Sequence, residues 1–375
     1  MAITRLALVT DAWDPQTNGV AITLKRVVEH LRSSGVEVLV ASADPAVHRT
    51  WRLPSYPEIR LAADPWKALG RIKKFAPDAI HVATEGPLGF WAIAWLRRRC
   101  LRFTTSFHSR YPEYLAARLP WFPLEWGYKL MRWFHCRAEH TLVSTRSIVR
   151  DLLERRVGQR LVYWPRGVDT NLFNPSRRSL DCYAGLPRPI WVYVGRVAVE
   201  KSIECFLSLP LAGSKVVVGD GPAREELQRR FPEAIFRGYR YGEDLATHYA
   251  SADRFVFPSR TDTFGNVLLE AIASGLPIAA VPSPGPDDLI EEGVNGAVDD
   301  DLLAACQRLT ACDQRRAHEV ALRYTFRASN ELFRSHLVPL QPALGATPGR
   351  RALAAPRTPS SQPTATAARA IVPGG

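Results

Sequence analysis

One pattern constrains this chain more than any other, and it occurs twice: short apolar runs, each followed by a turn-rich loop and a stretch with helical spacing. The first series opens at Leu6-Ala-Leu-Val-Thr10. Val20 to Ser33 then sets Leu24, Val27, Val28 and Leu31 on one helical face, and Gly35 ends it. Val36–Ala41, Ala79–Val82, Phe103–Phe107 and Thr141–Ser144 are the next strands. Strands that alternate with helices in this way predict a parallel sheet with helices on both faces.

Proline-rich and polar segments, Trp164-Pro-Arg-Gly-Val-Asp169 and Leu186-Pro-Arg-Pro189, interrupt the pattern. It restarts at Ile190–Val194 and continues through Lys215–Val218, Ala234–Phe236, Arg254–Phe257 and Pro277–Val281. Helices are predicted over 200–209, 222–231, 243–251, 265–274 and 301–311. The chain of 375 residues divides on this reading into a first domain (1–170), a linker (171–188) and a second domain (189–315). A last helix follows over 316–337. The tail, 338–375, is too poor in large apolar groups to pack and is expected to be disordered.

Charge is concentrated. The formal net charge is +12, and residues 97–160 alone contribute +9; the tail from Val338 adds four arginines and no acid. A local basic face attracts phosphates, lipid headgroups or nucleic acid, or it is simply a solvated surface. Six cysteines lack any CxxC pair or metal-ligand spacing, which reads as free thiols in a reducing compartment. No secretory leader is evident at the N-terminus, and the longest apolar stretch, Gly86 to Leu96, is shorter than the ~20 residues a spanning helix requires. The expected location is cytoplasmic, peripheral on the cytosolic face of the plasma membrane.

Open parallel sheets bind ligands beyond the C-terminal ends of their strands, so the loops there carry the chemistry. Asn18-Gly19-Val20 follows the first strand and opens a helix; Gly19 permits close backbone approach, and the free amides attract an anion. After Ile190–Val194, Arg196 and Lys201 place two cations where a diphosphate could lie. The most informative stretch runs from Phe257 to Pro277: strand, loop, helix, glycine stop, strand. There Asp262 and Glu270 flank a helix start whose amides, at Phe264, Gly265, Asn266 and Val267, favour an anion. Apolar neighbours around Glu270 predict its partial burial for a reason. His108 ends an apolar strand, where it serves either structure or catalysis. No metal-binding motif sits at a strand end, and no metal or other cofactor is expected.

Taken together, Asn18-Gly19-Val20, Phe107-His108-Ser109, Arg166-Gly-Val-Asp169, Gly195-Arg196 with Glu200-Lys201, Gly219-Asp-Gly-Pro222 and Asp262 to Glu270 resemble the retaining family 4 glycosyltransferases of GT-B fold, over residue 5 to about 337. The likeness is to bacterial GDP-mannose-dependent mannosyltransferases and glycosyl-diacylglycerol synthases. It implies two Rossmann-like domains facing across a cleft and a C-terminal helix crossing back to the first. It further implies that Arg196 and Lys201 neutralise the leaving diphosphate and that Glu270 binds the nucleotide ribose. Asp262 and the amides of Phe264 to Val267 would hold sugar hydroxyls and phosphates. Gly19 would let its loop close on the diphosphate, and His108 would contact the donor sugar. The family often has a glutamate where Asp262 stands; the shorter side chain keeps the charge and changes its reach.

The acceptor side is marked by aromatic and basic residues on short helices: Arg118, Trp121, Phe122, Trp126, Lys129, Arg132 and Trp133, interleaved with Tyr128, Leu130, Met131 and Phe134. Such a face suits an anionic bilayer and would admit a lipid or glycan acceptor; core aromatics with solvated arginines are the alternative. A dehydrogenase would need G-x-G-x-x-G after a strand, which the chain lacks. A sugar-nucleotide epimerase of the same fold remains the nearer rival, and a basic nucleic-acid-binding protein is the non-enzyme one. Nucleic acid is not expected as a partner, because no recognised binding motif accompanies the charge.

Overall fold

The computed structural model describes residues 3–342 apart from 17, 54–55, 119–120 and 310–311. The first series forms β1 (Arg5–Val9), β2 (Glu37–Ala41), β3 (Thr50–Leu53), β4 (Tyr56–Ala62), β5 (Ala79–Val82), β6 (Thr104–Phe107), β7 (His140–Val143) and β8 (Leu161–Tyr163). Six of these build a parallel sheet in the order β2-β1-β5-β6-β7-β8, while β3 and β4 pair as a separate antiparallel hairpin that the strand pattern did not reveal. The second series forms β9 (Ile190–Val194), β10 (Ser214–Val218), β11 (Ile235–Gly238), β12 (Arg254–Phe257), β13 (Ile278–Ala280) and β14 (Gly296–Val298), a parallel sheet in the order β11-β10-β9-β12-β13-β14. Every residue from Leu6 to Val9, and both Ile190 and Val192, is solvent-inaccessible. Helices cover both faces of each sheet, so these strands can be apolar at every position instead of every second one.

Strand order reverses between β1 and β5 in the first sheet and between β9 and β12 in the second, the places where open α/β sheets form ligand crevices. The two sheets are held together by the segment Trp164–Asp169 and by the chain's return. Val168 exchanges backbone hydrogen bonds with Tyr324 and Phe326. Gly167 packs so closely there that a Cβ would lie 2.6 Å from the Phe326 Cα.

The single helix expected over 316–337 is two. Gln314–Ala321 packs on the second half, a 3-10 turn spans Leu322–Tyr324, and Phe326–His336 starts afresh with Thr325 as its cap. Its Phe333 enters the first half's core beside Leu6, Leu8 and Trp164, so the crossing back to the first domain takes place at Thr325. Residues 338–342 also depart from the expected tail. Val338 is buried, Leu340 donates its N–H to the Asp78 carbonyl, and Gln341 accepts from the Arg102 N–H, so this segment lies against the starts of β5 and β6. Residues 343–375 lie outside the described residues.

Candidate active site

The helix Asn266–Ala273 follows β12 through Gly265, whose φ of 76° is left-handed and glycine-favouring. Among the described residues no side chain hydrogen-bonds to the start of this helix. On the other side of the cleft, Asn18 caps the helix Gly19–Ser33 with its side-chain oxygen. The two helix starts meet: a Cβ on Gly19 would lie 3.2 Å from Asn266 Nδ2. The two donor segments named from the sequence, at Gly19 and Asn266, thus face each other.

At the exit of β9, Lys201 donates from Nζ to Asp262 Oδ1 at 2.6 Å, both about one-fifth exposed. The lysine is thereby aimed at the β12 loop and its charge is partly balanced before any ligand arrives. Arg196 is exposed, and its carbonyl accepts the Tyr193 hydroxyl at 3.0 Å. Close crossing of the β9 and β10 loops requires Gly219 (φ 141°), where a Cβ would come 1.9 Å from the Gly195 carbonyl oxygen. Glu270 points into the core side of its helix, and its Oε2 accepts from Tyr249 Oη at 2.9 Å. Burial raises its pKa from 4.5 to about 7, against the lowering effect of that hydroxyl. Phe264 is buried, whereas Gly265, Asn266 and Val267 are partly accessible.

His108 also reaches this interface, through its backbone: its carbonyl accepts the Thr263 hydroxyl at 3.0 Å from the opposite half. The ring itself is buried and occupied on both sides. Its Nδ1 accepts from Arg166 Nη2 at 2.6 Å, and its Nε2 lies 2.8 Å from Ser106 Oγ. Burial first, then the charge of Arg166, holds its pKa well below the usual histidine value, so the imidazole is neutral. Asp11, at the exit of β1, accepts from Thr84 Oγ1 and the Leu88 N–H, anchoring the start of the helix Pro87–Arg98. Burial lifts its carboxyl to about 7.

Known protein families match both halves of the chain. The family model "Glycosyltransferase Family 4" matches residues 17–172, and "Glycosyl transferases group 1" matches 188–311. The GDP-mannose-dependent alpha-mannosyltransferase of Mycobacterium tuberculosis is 33% identical over 314 residues, spanning 76% of this chain and 81% of its own. The chain belongs to glycosyltransferase family 4. The protein of the same description from Mycolicibacterium smegmatis is 34% identical over 85% of this chain and 92% of its own. An alpha-monoglucosyldiacylglycerol synthase of Streptococcus pneumoniae is 27% identical over 78% and 75%. Among solved structures, sucrose-phosphate synthase from Thermosynechococcus elongatus shares the fold with a TM-score of 0.68 at 22% identity, covering 88% of this chain and 98% of that one. This glycosyltransferase is therefore a nucleotide-sugar-dependent hexosyltransferase of GT-B fold.

The aromatic helix of the enzyme, Leu124–His135, divides in two. Tyr128, Met131 and Phe134 are core, while Trp126 and Trp133, and Trp121 in the turn before the helix, are 67%, 39% and 75% exposed. Lys129 is exposed and Phe122 partly so; Arg132 is tied to Glu125 and to the Arg155 carbonyl, so it is not a free cation. The Arg118 side chain lies outside the described residues. Trp133 stacks on Phe90 at 5.9 Å, and Trp91 and Trp66, themselves about half exposed, adjoin at 6.0 Å. These two tryptophans form a second exposed aromatic pair, drawn from separate helices and so not signalled by the local sequence. Arg166 and Tyr249 were likewise given no role, because the contacts that define them are long-range.

Proposed function

We propose that this glycosyltransferase moves a mannose or glucose-type hexose from a nucleotide diphosphate sugar to a lipid hydroxyl at an anionic membrane surface, with retention at the anomeric carbon. One observation carries the reading: Lys201, Asp262, the bare helix start at Asn266 and Gly19 converge where the two sheets' switch points face each other. Departure of a diphosphate builds negative charge as the sugar turns oxocarbenium-like. An ammonium with three donors can keep Asp262 and still turn to a phosphate oxygen. Arg196 supplies a second, bidentate cation, and the helix amides supply fixed dipoles that need no reorganisation. Glu270, as carboxylate, accepts from the nucleotide ribose hydroxyls, and Asp262 orients sugar hydroxyls. The incoming hydroxyl delivers its proton to the departing phosphate, since both lie on one face of the sugar in a retaining transfer.

The lipid acceptor is supported by the exposed tryptophans beside Lys129 and Arg97 and by the diacylglycerol in the name of the Streptococcus pneumoniae relative. Among the described residues no helix is long and apolar enough to cross a membrane. A peripheral position on the cytosolic leaflet follows from this reading. The test is transfer itself: GDP- and UDP-linked mannose and glucose, each labelled, incubated with vesicles containing a hydroxyl-bearing lipid. Label should enter the lipid phase with retained anomeric configuration. Label appearing only as an epimerised nucleotide sugar, without acceptor, would establish the rival activity instead.

A further inference from the structure

Arg166 stands in the segment that joins the two halves, yet its guanidinium ends against the ring at the cleft. It is 5% exposed, and it has no carboxylate partner among the described residues. Its Nη1 is buried without any hydrogen bond, and the group lies 5.0 Å above the Trp164 ring. Its one side-chain hydrogen bond is to His108 Nδ1 at 2.6 Å. A guanidinium cannot accept a proton bond, so Nδ1 must present a lone pair and the ring proton must reside on Nε2. The remaining network agrees. Nε2–H donates to Ser106 Oγ (2.8 Å), whose hydroxyl donates to the Ala83 carbonyl (3.2 Å). His81 Nε2 fills the other acceptor position of that oxygen (3.1 Å), leaving its Nδ1 to accept from Thr104 (2.9 Å).

We propose that Arg166 is a positioning residue that holds His108 as the neutral tautomer protonated at Nε2, so that the segment joining the halves sets the state of the ring beside the reacting sugar. This deepens, and rests on, the reading that transfer takes place beside His108. The ionisable groups around the ring are Arg166 beyond β8, His81 on β5 and His135 on the aromatic helix, the last paired with Glu85. Of these, Arg166 carries the fixed charge that, after burial, opposes a second proton on His108. A neutral ring leaves the oxocarbenium-like sugar unopposed by a fixed positive charge; an imidazolium would repel it.

The experiment begins with ¹⁵N-histidine NMR of the wild-type protein, with His108 assigned by its disappearance in His108→Gln. The ring should remain the neutral Nε2–H tautomer from pH 5.5 to 8. A proton on Nδ1, as the other tautomer or as imidazolium, overturns the proposal. Arg166→Met should then show kcat at saturating donor falling, by at most about tenfold, between pH 7.5 and 5.5, as loss of the guanidinium raises the His108 value toward the ordinary 6.5 while burial keeps it below. Arg166→Lys should flatten that profile, and His108→Gln placed in the Met background should abolish the acid limb. A loss in Arg166→Met that is equal at every pH marks Arg166 as merely structural and refutes the assignment. Should the Met variant fail to fold, the wild-type spectrum decides alone. Wild-type kcat in His108→Gln would instead sink the reading of the cleft, while leaving the tautomer result standing.

Discussion

Replacing Glu270 with Gln should make this enzyme more stable and less able to hold its donor. The carboxyl is pushed from 4.5 to about 7 by burial, and among the described residues Tyr249 Oη is its hydrogen-bond donor. The folded protein therefore binds this proton more tightly than the unfolded chain does. Ionising the group costs the fold about 3 kcal/mol, fully present above pH 7, shrinking as the pH falls, and gone below 4.5. Gln fills the same space, keeps an acceptor for the Tyr249 hydroxyl and never ionises. In urea unfolding, Glu270→Gln should gain up to about 3 kcal/mol over wild type at pH 8 and nothing at pH 4. Taking the difference between the two proteins cancels every other titrating group. The same variant should bind a nucleoside diphosphate about ten- to a hundredfold more weakly, the worth of charged hydrogen bonds to the ribose. Equal stability at pH 8, or a gap that ignores pH, would refute the idea that a desolvated carboxylate waits here for hydroxyl donors.

Three further outcomes follow from the cleft. Lys201→Ala should lower kcat by about 10²–10³, as loss of one fixed charge at a leaving group does; joint replacement of Arg196 and Lys201 should abolish transfer, and intact turnover in that double variant contradicts the diphosphate clamp. Gly19→Val inserts carbons where one already reaches 3.2 Å from Asn266, so the donor KM should rise in steady-state kinetics while thermal stability is kept. Trp126→Ser with Trp133→Ser should reduce sedimentation with anionic vesicles, and binding should weaken with salt as surface charges are screened; unchanged sedimentation would remove the bilayer from the acceptor reading.

Much of the architecture was legible because it is a matter of local periodicity. The strands from Leu6, Val36, Ala79, Phe103 and Thr141, and the later set from Ile190, were recognisable from apolar runs, and they form within a residue or two of the expected bounds. The cleft loops were legible because a strand exit, a left-handed glycine and a helix start occur in order along the chain, as at Gly265. The β3–β4 hairpin escaped because its strands lie outside both buried sheets and carry charged and aromatic residues. The break at Thr325 escaped because either half of 316–337 reads as helix by itself.

What the linear order of residues determined by itself, then, is which segments become strand or helix and which loops end at the switch points, because those depend on neighbours within a turn or two. Only the tertiary structure decided which side chains serve as partners. Lys201 finds Asp262 and Arg166 finds His108 across about sixty positions, and Gly19 meets Asn266 across the cleft. Tyr128 is sealed while Trp126 two residues earlier faces solvent. Periodicity reports that a helix has two faces; only the packing of distant segments determines which of them is covered, and so which groups lose their water and must find one another.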